Sequence, residues 1–503
     1  MQITQQSLKQ QLDNLLFSRS SMFWPAVIVI AGALGLGLLA GIGGPVLVGT
    51  ALAVLVGGGL TLALSILIIQ KPYLGLVTVL ASLPVQTQYP DIPAVTSILS
   101  LIGFLTIAGY LVQNRFKIRL TTGFRPPLKI GLLFLIYIFV TNPHAALFSE
   151  DRNWVWTYLQ LLIMVWLAAE LLPPETHKTL MIWYIFFSCL SSAIAIPTAK
   201  IGSSIYTSGR AAGLTANANE GSMYMVFALM FAIYLNKHKV WRWFNLIFPL
   251  VAILLVLGVV VTVSRTGFMV MAISLALWFI LVPRSPTPPF RDLIKHAIIS
   301  VLKMSWIPAI LLVAILAIPS NYWSVLTQSV IDLMKGESTR NDTSIVRLEL
   351  WNSAFHMWQD YPLFGVGVGQ FQFENKYYIS RAFALYGDRV AHNMYVTILA
   401  ENGVVGFGIF IAWLASIALE LWHTLRAARD KDIMSLTAVW LIVLAGFLFM
   451  GTTITIQYYK PLWITAGVSM ALSNYVRRQN AQSKALAETS TELLTSQSLP
   501  VKG

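Results

Sequence analysis

The sequence predicts an all-α fold: a polytopic transmembrane helical bundle of about 12–14 spans with one large outer loop. Three observations predict it. Of 503 residues, 56% are hydrophobic and the mean hydropathy is +0.70. Charged residues make up 11%, where a soluble domain carries about 25%. The missing charge is absent in blocks, because long apolar runs alternate with short polar loops, and runs of about 18 or more apolar residues read as membrane helices. Helices also satisfy their own backbone N–H and C=O groups, which lipid cannot do.

In chain order, residues 1–24 form a cytoplasmic N-terminus. Lys9 and Arg19 precede the apolar run Pro25–Ala40, and a second run follows at once, so the first reads as a retained span and not as a cleaved leader. Residues 25–319 hold spans 1–11, with cores at Pro25–Ala40, Val46–Ile69, Tyr73–Val85, Ala94–Val112, Leu128–Thr141, Trp154–Leu172, Leu180–Ala199, Gly221–Leu235, Phe244–Val263, Gly267–Val282 and Ala297–Ile318. The third and fifth are short. Residues 320–391 are a polar loop of balanced charge containing an amphipathic helix. Residues 392–475 supply an outer helix and spans 12–14, with cores at Val404–Trp422, Ile433–Thr455 and Leu462–Tyr475. The tail 476–503, rich in Ser, Thr, Gln and Ala, has the composition of a disordered cytoplasmic segment.

Positive charge orients these spans. The segment from Gln113 to Lys129 carries Arg115, Lys117, Arg119, Arg125 and Lys129 without an acid. Lys237, Lys239 and Arg242 follow Leu235, and Arg284, Arg291 and Lys295 follow Val282. All fall on one side if the N-terminus is cytoplasmic. That assignment puts 23 Lys/Arg and 9 Asp/Glu inside against 11 and 12 outside, a net +14 and −1 that account for the +13 of the whole chain. The surplus is a topology signal. It does not imply nucleic acid, because the basic loops contain no binding module. The lone cysteine, Cys189, lies in an apolar run, can form neither an intrachain disulfide nor a thiolate cluster, and reads as a small buried residue.

Four polar constellations then fall on the outer side. The first runs from Ser208 through Arg210, Gly213, Asn217 and Asn219 to Glu220. The second is the tight turn Ser264-Arg265-Thr266-Gly267. The third is the loop helix beginning near Thr343, with Arg347. The fourth is Ala391-His392-Asn393-Met394-Tyr395. Arg265 has almost no loop around it, so it is either an interfacial arginine that snorkels or an anion ligand, since a guanidinium offers a planar fork of donors to phosphate oxygens. Arg210 is either a loop charge or a second such ligand, with Gly209 and Gly213 allowing close backbone approach. Between Ser344 and Gln359 the spacing of Leu348, Trp351, Phe355 and Trp358 predicts a helix with that face packed, leaving Arg347 at its N-terminal end. Pro362 stops the helix, and Gly365-Val366-Gly367-Val368-Gly369 reads as a flexible turn, because its spacing is not that of a dinucleotide loop. His392 is either a surface polar residue or a base that can take a proton near neutral pH. Glu401 ranks lower, on the far side of the helix from Tyr395 and Leu399. No Asp, Glu or Lys sits mid-span, which weighs against an ion-coupled transporter.

Taken together, these segments resemble the O-antigen ligase / O-antigen polymerase superfamily of bacterial membrane glycan transferases. The resemblance rests on Arg210 through Gly213 to Asn217 and Asn219, the Ser264–Gly267 turn, Arg347 through Trp351, Tyr361-Pro362-Leu363-Phe364-Gly365, and Ala391-His392-Asn393 through Glu401-Asn402-Gly403 and Gly406. It covers roughly Gly202 to Gly408. The resemblance implies a type C glycosyltransferase-like fold in the bacterial inner membrane, both termini cytoplasmic. It implies transfer of a glycan from undecaprenyl diphosphate to an acceptor hydroxyl on the periplasmic face, without metal or cofactor. Arg210, Arg265 and Arg347 would bind the donor diphosphate. His392 would be the general base, with Asn393 orienting it. The partners implied are the lipid-linked glycan, a lipid or glycan acceptor and the bilayer. A polymerase of lipid-linked repeats and a protein O-glycosylating enzyme share these motifs. A small-anion transporter is the alternative of a different class.

Overall fold

A computed structural model describes residues 62–88, 98–118, 120–141, 154–201, 211–215, 217–239, 242–282 and 343–497. The expected spans Pro25–Ala40 and Ala297–Ile318, most of Val46–Ile69, and the outer loop up to residue 342 lie outside the described residues. Every regular element among those described is a helix. The chain divides into two compact units.

In the first unit, residues 62–70 are helical, followed by α1 (Tyr73–Ala81) and α2 (Ile98–Gln113). Small residues let these helices touch. A Cβ on Gly75 would strike the Thr106 side chain, and one on Gly109 would lie 2.9 Å from the backbone of Ile68 and Ile69. Lipid offers no hydrophobic drive between helices, so such close van der Waals contact is what joins them.

The second unit begins with the 3-10 turn Leu83–Gln88. It continues with α3 (Pro126–Thr141), α4 (Trp154–Leu171), α5 (Pro174–Ile201), α6 (Ala218–Lys237), α7 (Arg242–Val261) and α8 (Arg265–Leu281). An outer layer holds α9 (Thr343–Asp360), α10 (Phe371–Tyr378) and the 3-10 turn Arg381–Tyr386. Three further helices close the chain: α11 (Met394–Ala427), α12 (Lys431–Met450) and α13 (Lys460–Gln497). Among the described residues, α4, α5, α6, α7, α11 and α12 are long and apolar enough to cross a membrane, and α3 and α8 are shorter apolar helices. The chain is a multi-pass helical membrane protein.

At the centre stands α6, buried on nearly every face from Ala218 to Leu235, with α5, α7, α8 and α12 packed around it. Its Ser222 side chain occupies the space a Cβ on Gly267 of α8 would need. A second group joins α11 to α3, α12 and α13, and α13 to α4. There the rings of Trp413 and Trp463 stack 4.2 Å apart, and the Trp413 indole N–H donates to the Pro127 carbonyl over 3.0 Å. Leu133, Ile136, Phe139 and Val140 of α3 face outward as lipid-facing side chains do.

One end of this unit is tied by charge. Arg125, just before α3, pairs with Glu420 near the end of α11 and also donates to Ser473 Oγ and to the Thr122 carbonyl. Glu170 accepts from Thr121 Oγ1 and the Thr122 N–H. Glu170 and Glu420, each near a helix end, are therefore both partnered. About 25 Å of helix separates Glu420 from Gly403, where α11 is kinked, and the segment before that kink carries the residues treated next.

Two features depart from the sequence expectation. α13 remains helical to Gln497, beyond the point where composition predicts loss of order. Ala481, Ala485, Leu486, Ala487 and Leu494 are strong helix formers, and Lys484 and Glu488 pair one turn apart. In α9 the packed face is Val346, Leu350, Ser353, Ala354 and Met357, while Leu348 and Phe355 are exposed and Trp351 and Trp358 half-buried. Two apolar stripes with helical spacing compete there, and the one with smaller side chains is the one that fits against α10 and α11.

Candidate functional site

Helix N-termini build the floor of the site. Asn217 caps α6, its side chain accepting from the Asn219 N–H, and Ser264 caps α8, its hydroxyl accepting from the Gly267 N–H. The Ser264 hydroxyl donates in turn to Asn219 Oδ1 at 2.8 Å, so the two ends are locked to each other. Asn393 caps α11, its side-chain oxygen accepting from both Tyr395 N–H and Val396 N–H. Helix N-termini present unpaired N–H groups and a partial positive charge, an environment that favours anions.

Onto this floor the chain brings cations. Arg265, the first residue of α8, is exposed. Arg347, in the second turn of α9, is half-buried. Burial pushes its guanidinium down from the usual range, and the neighbouring charge of Arg265 pushes it further; an arginine remains charged regardless. Two like charges held this close repel, so the arrangement suits an anion between them.

His392 lies near Arg347 and a further cation, Arg389. Its imidazole is lowered to about 4, first by burial and then by the charges of Arg347 and Arg389. At neutral pH the ring is therefore uncharged. Its backbone is held in the left-handed region at φ +52°, which a non-glycine residue adopts at a cost. Three contacts hold it there. Trp351 of α9 donates its indole N–H to the Ala391 carbonyl at 2.9 Å, Met394 N–H donates to the Gly451 carbonyl at 2.7 Å, and Asn393 caps the helix.

Of the residues singled out from sequence, Arg347 lies near enough to both Arg265 and His392 for their charges to interact. Arg210 lies outside the described residues. Asn393 is adjacent, but its amide oxygen is used in capping, so its hold on His392 acts through the backbone. Arg389, stacked over the Tyr386 ring at 5.5 Å, was not foreseen. Its only sequence signal is a position three residues before His392.

The Gly365–Gly369 segment is a turn, as expected, but a tightly packed one. Val366 and Gly367 N–H groups donate to the carbonyls of Ala400 and Glu401, while Val404 N–H donates to that of Pro362. A Cβ on Gly365 would collide with the backbone between Glu401 and Asn402. At Gly403 (φ +60°, ψ −171°) the α11 helix breaks, separating an outer segment that carries Asn393 and Glu401 from the span that follows. Glu401 is buried and accepts from the Gly369 and Phe371 N–H groups. The sequence reading put it on the far side from Tyr395 and Leu399 but did not foresee its hydrogen bonds into this turn.

No curated protein matches the chain. Residues 250–411 match the family model described as O-antigen ligase, a segment that begins inside α7, contains Arg265, Arg347 and His392, and ends just beyond the break in α11. Within this multi-pass helical membrane protein, that segment is similar to the O-antigen ligase family.

Proposed function

We propose that the protein transfers a glycan from undecaprenyl diphosphate to an acceptor hydroxyl on the periplasmic face of the bacterial inner membrane, as an O-antigen ligase-like enzyme that needs no metal. The observation that carries this reading is the placement of Arg347 and Arg389 near a neutral, half-buried His392, with Arg265 next to Arg347.

In this reading the donor diphosphate lies between Arg265 and Arg347, with Arg210 as a third ligand. The acceptor oxygen attacks the anomeric carbon, its proton passes to the His392 imidazole, and the bond from carbon to the diphosphate oxygen breaks. The leaving diphosphate takes the electron pair, and a single displacement inverts the anomeric centre. Guanidiniums placed where charge develops lower the barrier most. The same anion also changes the base. A diphosphate offsets the positive field that depresses His392, so donor binding raises its basicity just when a base is needed.

Purified protein supplied with lipid-linked glycan and acceptor tests the reading. His392→Ala should slow transfer by about 10²-fold or more while leaving donor binding intact. Transfer by that variant at the wild-type rate removes the base assignment.

A further inference from the structure

Beside His392 lies a cavity of about 650 Å³ that the assignments above leave unused. Val390 and Thr397, which flank His392 in sequence, form part of its wall, and Thr397 Oγ1 donates to the Asn393 carbonyl at 2.7 Å. The cavity thus borders the segment that carries the proposed base.

Its chemistry differs from that of the arginine site. Among the described residues that line it there is no Lys or Arg, and the one charged group is the Glu401 carboxyl. Among the described residues, a diphosphate has no cationic partner there. One wall is aromatic. The Trp154 ring lies 5.0 Å from that of Tyr458, and Trp154 is pressed against Gly369, where a Cβ would overlap its indole. Another wall is polar and neutral. Gln457 is 2% exposed and Thr455 is 6% exposed, and neither Gln457 Oε1 nor the Thr455 hydroxyl has a hydrogen-bond partner. Buried polar atoms without partners cost about 1–3 kcal/mol each, so two in side chains that line one cavity favour an occupant toward which those side chains can turn.

A pyranose ring meets both requirements, with C–H groups on its faces and hydroxyls around its edge. A neutral, hydrogen-bonding wall opposite flat apolar rings also has the usual make-up of a small-molecule site. We infer that this cavity is a saccharide subsite, in which Trp154 and Tyr458 take the face of a sugar ring and Gln457 and Thr455 take its hydroxyls. The inference rests on the transferase reading for its relation to His392. The sugar belongs either to the acceptor or to the donor glycan.

Gln457→Leu and Thr455→Val, in the full-length protein in lipid nanodiscs, distinguish these sources. Either substitution should raise one KM by about fivefold to tenfold with kcat within about threefold. A shift in the acceptor KM assigns the cavity to the acceptor, and a shift in the donor KM assigns it to the donor glycan. Unchanged KM values for both, or a fall in kcat alone, overturn the subsite. A binding titration separates this result from failure of the transferase reading. The probes are the oligosaccharide freed from the lipid-linked donor and the delipidated acceptor saccharide. Binding of one of them to wild type and to His392→Ala, weakened in Gln457→Leu, supports the subsite even without turnover. No binding of either to wild type overturns it. Thr455→Val, nearly isosteric, keeps the test intact should Gln457→Leu not fold.

Discussion

His392 sets the pH behaviour expected of the protein. A base must be uncharged to accept a proton, so activity falls as pH drops through its pKa. An ordinary histidine titrates near 6.5; burial and the charges of Arg347 and Arg389 bring this one to about 4. The kcat/KM profile, which reports the free protein, should therefore stay level on the acid side until about pH 4. The acid limb of kcat, which reports the donor complex, should lie higher, because the bound diphosphate offsets the arginines. A kcat/KM limb near 6.5, with that of kcat below it, would contradict this electrostatic account. At this scale, the sequence made Arg265 visible because a cation at the edge of hydrocarbon is costly and stands out against apolar neighbours, and Arg347 visible because it sits at the N-terminal end of a periodic loop helix. Arg389 did not stand out. It sits in a loop that is already polar, where one more charge has no local cost, and only the folding of that loop over His392 gives it significance.

Among the elements, the break in α11 has the clearest consequence. Gly403 adopts a backbone conformation essentially confined to glycine, and a Cβ there would meet the Leu363 carbonyl. Gly403→Ala should destabilise the fold by about 1–3 kcal/mol. Thermal unfolding in detergent should show the loss, and transfer should fall with it, because the outer segment of α11 carries the Asn393 cap. Unchanged melting would mean the turn is looser than its hydrogen bonds imply. An Asn-Gly pair at the end of an outer helix was readable from sequence, and so was Pro362 as the end of α9. The packing of these two breaks against each other was not, since it is made by backbone groups about 40 residues apart. The α9 face was misread for a related reason. Large aromatic side chains dominate a periodicity count, whereas a tight helix contact prefers Ala354 and Ser353.

For the molecule as a whole, composition specified the class, because lipid imposes one requirement on every residue of a span. The ends of the spans were legible to within a few residues, with α5, α6 and α8 beginning or ending close to the expected positions. The Arg125–Glu420 pair lies at one end of the second unit and His392 at the other. We predict which end faces which compartment. In a Cys189→Ser background, Arg389→Cys should react with an impermeant maleimide in intact spheroplasts, and Lys484→Cys only after lysis. The reverse pattern would invert the topology and remove the periplasmic reaction.

The indole of Trp351 adds a mechanical constraint. It fastens α9 to the carbonyl of Ala391, one residue before His392, while Arg347 rides one turn away on that same helix. Anything that swings α9 aside to admit a bulky lipid-tethered molecule carries the arginine and the histidine along as one rigid piece. The grip on the anion and the reach of the base are thereby geared together, and assembly of one is assembly of the other.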